Sequence, residues 1–217
     1  MTEHGFSYYW DAAKFNVKKH LRGYTINPTP TFDPEGLARF QSAVLGSQAY
    51  LEYGCGGSTI EAARNVKKLV SVETDGVFAA AVRAALPPTD AQVSILTPDI
   101  GFTRDWGFPV FDTATPGRIE KWKRLPQAPW RSSPEFTPDL VLVDGRMRVA
   151  CTLEALLRVT PDTTILIDDY VGRNYETVQQ FADLIGMHGR MAEFRKKSAF
   201  DRNACEASLS LAYGDME

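Results

Sequence analysis

Histidine and cysteine are scarce in this chain, with three of each among 217 residues. Cys55, Cys151 and Cys205 are odd in number and far apart, so neither a disulfide framework nor a thiolate zinc site is indicated. His4, His20 and His188 occupy no catalytic spacing, and no imidazole stands near Cys55 in sequence to activate it; Cys55 is read as a small filler. No apolar run approaches the ~18 residues of a membrane-spanning helix, and the opening text MTEHGFSYYWDAAKFNVKK holds no signal-peptide core. Positive charge is not in excess either. A net charge of −3 and a pI near 5.7 provide no global basic field to gather nucleic acid or anionic membrane. The short basic run KWKR is expected to be solvated surface. These absences predict a reduced, cytoplasmic, soluble protein whose partner is a small molecule, with a homodimer left open.

Apolar residues make up 44% and charged residues 24% of the chain, ordinary for a globular protein that buries one sizeable core. One domain over 1–217 is expected, with residues 1–36 as an N-terminal appendage packed on it. Asp33 followed by Pro34 predicts a capped helix start, running to about Leu45 and stopping at Gly46. From Ala49 the text alternates between short β-rich runs (AYLEYG, KKLVSVETD, AQVSILTPD, DLVLVDG, TTILIDD) and helical stretches. Alternation of this kind predicts βαβ units. YETVQQFADLIGMHG reads as an amphipathic helix, and RMAEFRKK and EASLSLAYG as two closing strands. The expected fold class is α/β: a doubly wound, mostly parallel seven-stranded sheet with a C-terminal antiparallel strand pair. Residues 101–138 are too long and proline-punctuated for a simple connection and carry three of the four tryptophans. They read as an insertion or lid loop.

The chemistry concentrates in AYLEYGCGGSTIEAARN. Gly54-Cys55-Gly56-Gly57-Ser58-Thr59 is a glycine turn between a strand and a helix. The place of the third glycine of the dinucleotide fingerprint is taken by Thr59. Glu52, two residues before the turn, would repel a pyrophosphate and suits a cationic ligand instead.

The segment LEYGCGGST resembles the first motif of the class I S-adenosylmethionine (SAM)-dependent methyltransferases: acid, any residue, Gly, any residue, Gly, small residue. The resemblance extends over roughly residues 37–213. It implies SAM as cofactor, held by Glu52, Tyr53, Gly54, Cys55, Gly56, Ser58 and Thr59. Glu73, about 20 residues after Glu52 and at the end of the second strand, is placed to accept the ribose hydroxyls, with Thr74 beside it. The resemblance further implies Asp99 on the adenine amino group, Ile100 beside the ring, and Asp144 at the mouth of the fourth strand. The NPPY- or DPPY-type tetrapeptide of base-methylating members is absent, which points away from nucleic acid.

For the acceptor, Asp144, Asp168 and Asp169 come from neighbouring strand ends and could hold one hard cation such as Mg²⁺. VDG followed by IDDY is similar to the metal-dependent macrolide-sugar O-methyltransferases. Alternatively, Arg146 and Arg148 pair with these carboxylates in place of a metal, or grip an acidic substrate. Asp144, Arg146 and Asp169 are the candidate catalytic residues, with Tyr170 and Arg173 as further pocket candidates. The expectation is methyl transfer to a small-molecule oxygen acceptor. A non-catalytic SAM- or S-adenosylhomocysteine (SAH)-binding protein of the same fold, and an NAD-dependent oxidoreductase, are the rival readings.

Overall fold

The computed structural model describes residues 4–217; residues 1–3 of the expected appendage lie outside it. Seven strands form one sheet: β1 (Ala49–Tyr53), β2 (Lys68–Val72), β3 (Gln92–Leu96), β4 (Leu140–Val143), β5 (Thr164–Ile167), β6 (Ala182–His188) and β7 (Met191–Lys196). Their order across the sheet is β3-β2-β1-β4-β5-β7-β6. The first five run parallel, and β7 is antiparallel to both β5 and β6. The order reverses between β1 and β4, so the loops after these strands flank a crevice at their carboxyl ends, where an open α/β sheet takes its ligand.

Strand periodicity explains how both faces are covered. Leu51, Tyr53, Val70, Val141 and Ile165 pack on one side, and Tyr50, Leu69, Leu140, Leu142 and Leu166 on the other. Helices α2 (Pro34–Leu45), α3 (Gly57–Ala62) and α4 (Gly76–Ala84) follow the N-terminal half, and α7 (Arg148–Leu156) and α8 (Glu176–Phe181) the C-terminal half. Asp33 caps α2 through Glu35 N (3.1 Å) and Gly36 N (2.9 Å), with Pro34 in the first turn. That is the start the Asp-Pro pair predicts.

Three segments differ from expectation. YETVQQFADLIGMHG is not one helix: α8 ends at Phe181 and β6 begins at Ala182, so His188 ends a strand and Gly189 (φ +61°) turns the β6–β7 hairpin. The antiparallel pair is therefore β6–β7. EASLSLAYG is not a strand but part of α9 (Arg202–Ala212), capped by Asp201 and burying Cys205, Leu209 and Tyr213. Those three recur every four residues, a helical spacing that outweighs the local Leu-Ser-Leu alternation.

The insertion also folds. It carries a one-turn helix at Asp105–Gly107, then α5 (Pro116–Trp122) and α6 (Arg124–Ser132). Thr115 and Pro116 start α5, and Pro126 sits in the first turn of α6, where a missing N–H costs nothing. Trp122, Leu125 and Trp130 are buried in the main core. The segment thus contributes to the core, and its tip, residues 102–108, exposes Phe102 and Trp106. The N-terminal helix α1 (Phe6–Arg22) lies against that tip: Tyr8 donates to the Val110 carbonyl (3.0 Å) and Asn16 to that of Thr103 (3.0 Å). No helix among the described residues is long and apolar enough to cross a membrane.

Candidate active site

A cleft of about 1000 Å³ opens over the carboxyl ends of β1, β2, β4 and β5. The turn after β1 is shaped by three glycines with different reasons to be glycine. Gly54 has φ +98°, and a Cβ there would stand 2.8 Å from the Asp144 carbonyl oxygen, so the loops after β1 and β4 touch. A Cβ on Gly57 would stand 2.5 Å from the main chain of Thr29. Gly56 has neither constraint: its φ of 168° is extended backbone, and a Cβ there meets nothing within 4 Å. It lines the cleft, so the chain keeps bare backbone where its own packing requires none.

Glu52 fastens this turn from beneath. Its carboxylate is fully buried and accepts from Tyr50 Oη (2.9 Å), Ser58 Oγ (2.8 Å) and Thr59 Oγ1. Thr59 Oγ1 in turn accepts from Gly56 N (2.9 Å). Burial pushes the Glu52 carboxyl up to about 6 against those hydroxyl donors. Glu52 and Thr59, expected at the ligand, are absent from the cleft lining; Tyr53, Gly54, Cys55, Gly56 and Ser58 are part of it. Cys55 donates its main-chain N to Glu73 Oε2 (3.3 Å). Burial, then the Glu73 charge, push its thiol far above the usual range, which suits a filler and not a nucleophile.

Glu73 follows β2 directly and lines the cleft with Thr74 and Asp75. Its Oε1 accepts from Thr74 N (2.6 Å) and Asp75 N (2.9 Å), so the carboxylate is rigidly set; burial raises its proton affinity nonetheless. Asp99 and Ile100, expected at the adenine, lie elsewhere. Neither lines the cleft. The Asp99 side chain is 64% exposed and drawn to Lys121 (3.5 Å) and Arg124 (3.8 Å) of α5 and α6, while Ile100 is buried in the core. The wall beside Glu73 is instead built from Phe78, Trp106, Gly107 and Phe108.

The three aspartates after β4 and β5 do meet, but around an arginine. Arg148, at the first position of α7 and 3% exposed, places Nη2 3.4 Å from Asp144 Oδ1 and 3.6 Å from Asp169 Oδ2, and its Nε donates to the Gly145 carbonyl (3.0 Å). Asp169, held at φ +50°, also faces Arg190 (2.9 Å) and Arg173 (3.6 Å). Among the described residues no three His, Cys, Asp or Glu side chains are grouped to hold a metal ion. Of the three carboxylates expected at Mg²⁺, Asp144 and Asp169 both face the buried Arg148 guanidinium. Burial, then the nearby Asp168, hold Asp144 above the usual carboxylate range, with Arg148 opposing. Arg146 stands apart from this network, its guanidinium 4.2 Å from the centroid of the Phe108 ring. Arg173 lines the cleft, whereas Tyr170 does not; its hydroxyl accepts from Gln179 (2.8 Å).

No protein-family model matches the chain. No curated protein matches it either. Among solved structures, a methyltransferase-like protein from Silicibacter pomeroyi is 32% identical, matches 87% of this chain and 100% of its own, and superposes with a TM-score of 0.76. The chain belongs to the class I SAM-dependent methyltransferase superfamily. The N-methyltransferase NodS from Bradyrhizobium japonicum WM9, in complex with SAH, is 13% identical over 88% of this chain and 99% of its own, with a TM-score of 0.46. MycE, a methyltransferase of the mycinamycin pathway in complex with Mg, SAH and mycinamycin VI, is 13% identical over 86% of this chain and 48% of its own, with a TM-score of 0.41. At that similarity neither bears on the chemistry of this chain.

In this methyltransferase-fold chain, sequence reasoning missed one wall of the cleft, formed by Tyr24, Asn27, Thr29 and Pro30 of the N-terminal segment. Lys19 of α1 anchors that side by donating to Asp75 (2.9 Å) with both side chains buried, and Tyr24 Oη donates to the same carboxylate (3.2 Å). The one sequence signal was Gly57, a glycine beyond what the turn itself needs; the close approach of Thr29 explains it.

Proposed function

We propose that this protein binds SAM in the cleft and transfers its methyl group to the oxygen of a small molecule. Gly56 carries the reading: its bare backbone faces open space in the cleft, next to the turn that Glu52 fastens. A ligand lying along the glycine turn reaches Glu73 at the end of the next strand, a rigid carboxylate suited to two vicinal ribose hydroxyls. The residues present therefore fit the adenosyl group. SAM, when bound, supplies an electrophilic methyl group on a sulfonium centre. Trp106 and Phe108 on the tip of the insertion would cover the cleft against water. Asp144 is the proton acceptor of this reading. Its raised proton affinity suits a group that takes a hydroxyl proton as the oxygen attacks. Arg148 fixes the Asp144 carboxylate in place, and Asp169 fixes Arg148. Calorimetric titration with SAM, SAH and NAD tests the cofactor assignment: SAM and SAH are expected to bind in preference, and tighter binding of NAD would overturn it.

A further inference from the structure

Four arginines border the cleft: Arg146, Arg148, Arg173 and Arg190. Three of them are matched by carboxylates. Arg148 serves Asp144 and Asp169, Arg173 serves Asp169 and Glu217, and Arg190 serves Asp169 and Asp33. Arg146 forms no ion pair with any described carboxylate, and its Nε is buried without a hydrogen-bond partner. Burial, then the charges of Arg148 and Arg173, work against its own. A half-buried guanidinium in that position is costly unless an anion completes it.

The side chain is also held in place. Its guanidinium lies over the Phe108 ring at 4.2 Å, and Gly107 packs close enough that a Cβ there would sit 3.7 Å from Arg146 Cγ. A guanidinium seated on an aromatic face keeps its N–H fork available in its own plane, the geometry that matches a carboxylate or phosphate. Arg146 is two residues from Asp144 on the loop after β4, so an anion held by one brings the rest of a small molecule next to the other.

We propose that Arg146 anchors a carboxylate or phosphate on the methyl acceptor, making the acceptor an anionic small molecule. The word acceptor rests on the methyl-transfer reading above; the anion subsite does not. The methionine carboxylate of the cofactor has the same chemistry, so the experiment separates the two sources. Wild type, Arg146→Gln and Arg146→Lys are titrated calorimetrically with inorganic phosphate, with SAH, and with 5′-methylthioadenosine, which lacks the amino-acid part. Thermal unfolding of each variant verifies the fold, and Arg146→Lys keeps the charge should the glutamine variant not fold. Phosphate affinity is expected to fall about tenfold or more in Arg146→Gln and to be partly kept in Arg146→Lys, with SAH affinity changing less than about twofold. The proposal is overturned if wild type does not bind phosphate, or if Arg146→Gln binds it as well as wild type. It is equally overturned if SAH affinity falls in Arg146→Gln while that of 5′-methylthioadenosine does not, which assigns the anion to the cofactor. Failure of wild type to bind SAH would sink the cofactor reading alone, since the phosphate titration without SAH still reports on Arg146.

Discussion

Arg148 holds Asp144 from within the core: its Nη2 lies 3.4 Å from Asp144 Oδ1 while the arginine side chain is 3% exposed. Removing the guanidinium leaves Asp144 with no ion pair among the described residues, while Asp169 keeps Arg173 and Arg190. Arg148→Met is expected to destabilise the fold by about 3–5 kcal/mol, as for one partner lost from a buried pair. Urea unfolding measures this, and a loss of less than about 1 kcal/mol would show that the aspartates do not depend on it. Because the guanidinium already faces Asp144 and Asp169, Mg²⁺ or EDTA is expected to leave the wild-type melting temperature unchanged. A rise with Mg²⁺ in the presence of SAH would mean that a cation displaces Arg148.

The glycines of the turn separate folding from binding. Gly54→Ala, at φ +98° and with a Cβ 2.8 Å from the Asp144 carbonyl oxygen, is expected to lose about 1–3 kcal/mol of stability. Gly56→Val projects into open space, so its melting temperature is expected to match wild type while SAH affinity falls by about tenfold or more. Equal SAH affinity in Gly56→Val would remove the observation on which the cofactor assignment stands.

Asp144→Asn keeps the shape of the carboxylate and removes its ability to take a proton. Methyl transfer to an oxygen acceptor, followed by SAH release, is expected to fall about 10²–10⁴-fold, with SAH affinity kept. An unchanged rate would mean that Asp144 is not the proton acceptor.

Acid stability is expected to depend on Glu193. Hydrogen bonds from Arg39 (2.7 and 2.8 Å), and then His188, lower its pKa below the ordinary 4.5. A carboxylate depressed in the folded state contributes stability that is present above its unfolded pKa. That contribution disappears as the pH falls through the lower folded value. Unfolding free energy should therefore drop with acidification below about pH 4.5, and Glu193→Gln should flatten that slope. An identical slope in the variant would place the acid sensitivity elsewhere.

The parallel half of the sheet was legible because β1, β2, β4 and β5 are short apolar runs that end on chemistry-bearing residues, and strands buried on both faces read as such continuous runs. The helices α5 and α6 were not legible, because Pro126 and Pro129 read as breakers until the first-turn placement of one and the burial of both are seen. The β6 strand was hidden for a related reason. ADLIGMH continues an amphipathic helical pattern, and only pairing with β7 makes it a strand.

The sequence by itself determined the family's architecture and the identity of the glycine turn, since both follow from local spacing: strand, acid, glycines, helix, and Glu73 one unit later. Tertiary structure decided what each charged group does. Glu52 became a fastener when three hydroxyls closed on it, and Asp99 left the cleft for the lysine and arginine of the insertion. Asp144 and Asp169 received Arg148, and Arg146 was left without an ion pair among the described residues. A carboxylate's role depends on which opposite charge or donor reaches it first within a few ångströms, and those neighbours come from segments distant in sequence.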